Sequence, residues 1–158
     1  MTGSADCAFC RIIRGEAPAC VVHEDGAILA FLDARPLFPG HCLVVPRQHH
    51  PNLLELPPEL LAPLFGAAQA LARAVEEALG AQGSFVAVNN RVSQSVPHLH
   101  VHVVPRRRGD GLKGFFWPRR PYRDEDEMRA VQEALRRAVA RHVPAAGPGA
   151  PAGTQDEE

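Results

Sequence analysis

The chain has 158 residues, 46% of them hydrophobic and 22% charged, with a formal net charge of -1. That balance is ordinary for a globular domain with a real core, and the near-neutral charge argues against a basic module that grips nucleic acid. No run approaches the ~18 apolar residues of a membrane helix, and the opening MTGSADCAFC lacks the apolar stretch of a secretory leader. The reading is a cytoplasmic protein without membrane contact.

In chain order, CAFCRIIRGEAP makes a short apolar patch followed by a turn at Gly15-Glu16. Its C-x-x-C, Cys7 and Cys10, is more often metal-binding or redox-active than a structural disulfide in a reducing compartment. The other two cysteines, Cys20 and Cys42, stand in strand-like sequence and are expected to be small buried apolar residues. Strand-like runs cover 19–23 and 27–33, and the turn Glu24-Asp25-Gly26 between them predicts a hairpin. Pro36, Pro39 and Gly40 punctuate a loop, and HCLVVP reads as a third strand ending at Pro46.

From about 58 to 80 the period changes. Leu60, Leu64, Ala68, Leu71, Val75 and Leu79 recur at helical spacing, with Gly80 as the stop and Pro63 suggesting a start near that residue. SFVAVN and the run at 97–106 read as two further strands joined by NRVSQSV. Residues 124–142, acidic first and basic last, predict a second helix. The Pro/Ala/Gly-rich stretch 144–158 is expected to be disordered, which leaves one domain over 1–143. This order of elements favours an α+β fold: a five-stranded antiparallel sheet with one long helix and a C-terminal helix.

The run PHLHVHVVPR is the most informative. On a strand, alternate residues share a face, so His98, His100 and His102 line up opposite Leu99, Val101 and Val103. Two chemistries use such an array: metal ligation by neutral imidazoles, and nucleophilic catalysis at a phosphorus or acyl centre. Spacing alone does not choose between them.

The wider pattern does. CAFCRIIRGEAPA, ILAFLDARPLFPGHCLVVPRQHH and QSVPHLHVHVVPR stand in an order that closely resembles the histidine triad family of nucleotide hydrolases and transferases. The resemblance implies the histidine triad fold, a homodimer and a purine nucleotide substrate. It makes His100 the nucleophile that forms a nucleotidyl-histidine intermediate. His102 contacts the phosphate, and His41 lies beside the triad. Asp33 matches the acid that binds ribose hydroxyls, and Phe9, Ile12 and Phe31 line the base slot. Asn89, Gln94 and Ser95 match polar residues near the phosphate and leaving group. This chain has NNRVSQS where most relatives have a glycine-rich loop, which leaves Asn89 and Asn90 as alternatives.

The same resemblance implies one structural zinc per chain on Cys7, Cys10, His49 and His98, with His50 the rival to His49, and no cofactor for catalysis itself. The segment 106–123 carries seven Arg/Lys against one Asp, with Phe115, Phe116 and Trp117 interleaved. Arg106, Lys113 or Arg119 could meet extra phosphates while Trp117 stacks on a second base, which tilts the expected substrate towards dinucleoside polyphosphates over phosphoramidates and adenylates. The rival readings are a phosphorylase that resolves the same intermediate with phosphate, a non-catalytic zinc-stabilised nucleotide-binding module, and a zinc hydrolase using the triad as ligands.

Overall fold

The structure, a computed structural model, describes residues 6–112 and 119–142. Lys113, Phe115, Phe116 and Trp117, and the stretch 144–158 expected to be disordered, lie outside the described residues. The chain divides into two compact units after Leu112.

In the first unit the elements are α1 (Ala8–Ile13), β1 (Val21–Glu24), β2 (Ile28–Leu32), β3 (Cys42–Pro46), α2 (Leu61–Leu79), β4 (Gly83–Ala87) and β5 (Val101–Arg106). The strands form one antiparallel sheet in the order β1-β2-β3-β5-β4, the α+β architecture expected. The β1–β2 turn closes because Asp25 Oδ1 accepts the amides of Ala27 and Ile28, both at 2.8 Å. These bonds hold the Asp25 carboxyl below its ordinary pKa.

The two sheet faces have different partners. Ile28, Ala30, Cys42, Val44, Val101 and Val103 pack with Leu64 and Ala68 of α2 in one core. Leu29, Phe31, Leu43 and Val45 pack with Phe9, Cys7 and Cys10 around α1 on the other side. Because strand residues alternate faces, the register carries a row Phe31–Leu43–His102 straight across β2, β3 and β5 on the α1 side.

The structure adds two local details and corrects two expectations. The Cys7–Ile13 patch is helical, with the Arg11 amide donating to the Cys7 carbonyl at 3.0 Å. Pro63 sits inside α2, as its third residue, where the amide that proline lacks would have no partner within the helix. Cys20 is exposed while Cys42 is buried, because Cys20 precedes the edge strand β1, whose own residues are all exposed. The second correction concerns the triad. His98 and His100 precede β5 and only His102 lies in it, since the backbone at 98–100 turns to the stretch after β3, with the Leu99 amide donating to the His50 carbonyl at 2.7 Å.

Gly80 ends α2 in the left-handed conformation, as its sequence position predicted. In the second unit, α3 (Glu125–Val139) starts where Asp124 accepts the Glu127 amide at 2.7 Å. Among the described residues no helix is long and apolar enough to cross a membrane.

Candidate functional site

The α1 side of the sheet carries two histidine clusters whose chemistry differs, and their hydrogen bonds say how. In the first, His98 is fully buried and its Nε2 donates to the Pro46 carbonyl at 2.8 Å. A neutral ring with its proton on Nε2 presents a bare Nδ1, and burial keeps it neutral by pushing its pKa down to about 4. That Nδ1 lies 3.5 Å from both Cys7 Sγ and Cys10 Sγ and 3.3 Å from His49 Nδ1, while Cys10 Sγ lies 3.3 Å from His49 Nδ1.

These four atoms fit a zinc ion. Tetrahedral bonds of ordinary zinc length imply edges of about 3.5 Å between sulfur and nitrogen and about 3.3 Å between two nitrogens. Burial, then the neighbouring Cys7, pushes the Cys10 thiol up to about 11, so the thiolate a zinc ion needs would form only as the ion binds. His49 is therefore the residue of the PRQHH block that joins the cluster. Its rival His50 has a buried Nε2 without a hydrogen-bond partner among the described residues.

The second cluster contains Asp33, His41 and His102, and here the same logic gives a hydrogen-bonded chain. The Leu37 amide donates to His41 Nδ1 at 3.1 Å, so in the neutral ring the proton is on Nε2. That Nε2 donates to His102 Nδ1 at 2.9 Å, which leaves the His102 proton on its own Nε2. Burial lowers the pKa of His41 and pushes that of His102 down to about 4. His102 is thus a neutral donor.

His100 has the complementary state. Its Nδ1 donates to the His98 carbonyl at 2.7 Å, so the lone pair is on Nε2. Its ring meets His102 at 4.9 Å between centroids and the edge of Phe9 at 5.2 Å. His100 and His102 line a cavity of about 680 Å³ together with Phe9, Ile12, Phe31, Asp33 and Ser95. Phe9 and Phe31 make an edge-to-face pair with centroids 5.4 Å apart, an apolar slot next to the bare Nε2 of His100.

The cavity wall also includes Leu43, Val96, Arg35 and Cys20, none of which the motif reading named. Leu43 was findable: it stands two residues after His41 on a strand, hence on the same face. Asn89 and Gln94 do not line the cavity. Asn89 donates to the Ser93 carbonyl at 3.2 Å, and Gln94 braces the loop by accepting the Arg91 amide at 2.9 Å. Asn90 is occupied elsewhere, accepting the Leu53 amide at 2.9 Å. Arg91 and Ser93 adopt left-handed backbone, φ 67° and 58°, so the loop takes a shape glycine favours without having the glycines.

An antiparallel sheet with a helix on one face, a histidine with a bare Nε2 beside a histidine donor on the other, and a Cys/His cluster next to them defines a histidine triad domain. The chain belongs to that family: the HIT domain matches residues 14–109. An uncharacterized HIT-like protein of Mycobacterium tuberculosis is 44% identical over 134 residues, covering 82% of this chain and 92% of that protein. An adenylylsulfatase of Arabidopsis thaliana is 38% identical over 109 residues, 68% of this chain and 55% of that one. An adenosine 5'-monophosphoramidase of Schizosaccharomyces pombe is 34% identical over 131 residues, 82% and 95% respectively. The crystal structure of a zinc-bound histidine triad protein from Mycobacterium smegmatis superposes with a TM-score of 0.67 at 41% identity, covering 88% of this chain and 99% of that one.

Proposed function

We propose that the protein hydrolyses or transfers at the α-phosphate of a purine nucleotide derivative through a covalent nucleotidyl-His100 intermediate. One observation carries this: the backbone hydrogen bond at His100 Nδ1 leaves a lone pair on Nε2 inside a slot with aromatic walls and a donor beside it. Attack by Nε2 forms a P–N bond and breaks the bond to the leaving group, which takes the electron pair and a proton from solvent. Water then attacks phosphorus and releases a proton to solvent, the P–N bond breaks, and its electron pair returns to Nε2. His102 Nε2–H stabilises charge developing on the phosphoryl oxygens, and Asp33 accepts from the sugar hydroxyls. Ser95 lines the cavity, and Asn89 and Gln94 shape the loop that leads to it.

The substrates we favour are single adenylyl derivatives, phosphoramidates and mixed anhydrides, in line with the adenylylsulfatase and phosphoramidase relatives. Arg106, one candidate for binding extra phosphates, is engaged by Asp110 and by the Leu112 carbonyl. The zinc, about one per chain, is held by Cys7, Cys10, His49 and His98. Four protein ligands leave no open position, so it serves structure. The protein works in the cytoplasm, whose reducing poise keeps both thiols available, and as a homodimer, in line with the family resemblance.

The test is a side-by-side panel of adenosine phosphoramidate, adenylyl sulfate and diadenosine polyphosphates, with and without added phosphate. Turnover of the first two to adenosine monophosphate is expected, and His100→Ala should lower kcat roughly 10³-fold or more while leaving nucleotide binding. Equal turnover by His100→Ala would overturn the covalent route, and a nucleoside diphosphate product would identify a phosphorylase. No turnover of any substrate by the wild type, with nucleotide still bound, would leave a binding module.

A further inference from the structure

Asp33 stands at a junction that sugar binding alone does not use. Its backbone amide donates to the His41 carbonyl at 2.9 Å, which fastens the end of β2 to the residue before β3. Its Oδ1 accepts the Arg35 amide at 2.8 Å. Its Oδ2 lies 3.7 Å from His41 Nε2, the atom whose proton bonds His102. His41 is buried and Asp33 half-buried, so solvent screens this approach weakly.

Resting on the function proposed above, we propose that Asp33 is a positioning residue for the His41–His102 pair as well as a ligand for the sugar. Its carboxylate sets how readily the pair carries positive charge, and a sugar hydroxyl that takes the carboxylate weakens that influence. The charged and titratable groups facing the pair are Asp33 from the end of β2 and His100 from the segment before β5, and Arg35 lines the same cavity. Asp33 alone among them is an anion. His100 turns cationic when its Nε2 bonds to phosphorus, so the site holds its least favourable charge at that moment, and a carboxylate beside His41 offsets it. By linkage, whatever Asp33 does to the pair's proton affinity, protonation of the pair does in return to sugar binding.

Asp33→Asn separates the roles, because the amide oxygen still accepts from the Arg35 backbone while the charge is gone. In the full-length, zinc-loaded protein, His41 ring ¹⁵N resonances followed against pH should show its protonation midpoint about one pH unit lower in Asp33→Asn. In Asp33→Glu it should stay near the wild type. With a 2',3'-dideoxyadenosine phosphoramidate, which has no sugar hydroxyls, Asp33→Asn should still lower kcat and displace the acid limb of its pH profile. An unchanged His41 midpoint, or a loss confined to KM of the ribose substrate, would overturn the proposal. The resonance measurement needs no turnover, so it stands or falls separately from the assigned reaction.

Discussion

Three imidazoles here have protonation states assigned by the carbonyl or amide each one faces, and a fourth, His102, takes its state from the ring of His41. Carbonyls at Pro46 and His98 take the Nε2 proton of His98 and the Nδ1 proton of His100, while the Leu37 amide turns His41 the other way. The spacing of the two clusters agrees: 3.3 Å between His49 and His98 nitrogens suits two ligands of one ion, and 2.9 Å between His41 and His102 suits a shared proton. A pH prediction follows at this scale. His41 and His102 bind a proton more weakly than the ordinary 6.5, His102 near 4, so the unfolded chain takes up more protons as pH falls below 6.5. Their contribution is fully present above 6.5 and is lost as pH falls towards 4. Urea midpoints measured between pH 8 and pH 4.5 should therefore decline below 6.5, and His102→Asn should flatten the decline.

Among the elements, α2 packs the far face of the sheet, and the loop before β3 carries His41 into the site. Leu64 is fully buried between α2 and the sheet, and Leu64→Ala should cost about 2–5 kcal/mol in chemical denaturation. Gly40 has φ 97°, and a Cβ there would overlap the Leu79 side chain at the end of α2. Gly40→Ala should cost roughly 1–2 kcal/mol for the backbone alone. Because Gly40 precedes His41, the substitution should also lower kcat, a double effect that Leu64→Ala should not show near room temperature. The triad segment gives a contrasting lesson. Alternation correctly put His98, His100 and His102 on one side and Leu99, Val101 and Val103 on the other. It could not show that the strand begins only at Val101, because an extended segment alternates whether or not a neighbour pairs with it.

For the whole molecule, the Cys/His cluster joins α1 to two distant stretches, with Cys7 and His98 separated by 91 positions. A metal held there would tie three segments together next to Phe9, which lies between Cys7 and Cys10 and makes T-shaped contacts with both His98 and His100. Purified protein should contain about one zinc per chain by metal analysis. Cys7→Ser or prolonged chelation should remove it, lower Tm by several degrees and raise KM more than it lowers kcat. Chelation that abolished kcat while leaving Tm unchanged would instead place the metal in the chemistry.

Much of this could be read in the sequence, because ordered motifs and hydrophobic period are local properties. They carried the antiparallel α+β fold, the nucleophile candidate, Asp33 and the four residues of the metal cluster, with His50 still a rival. Composition and spacing have no access to which carbonyl a ring nitrogen meets. Only the tertiary structure decided that His49 joins the cysteines, that His41 donates a hydrogen bond to His102, and that Cys20 and Arg35 belong to the cavity wall. Those are facts of register and approach between segments far apart in the chain, and a hydrogen bond exists only where packing brings its two ends within about 3 Å.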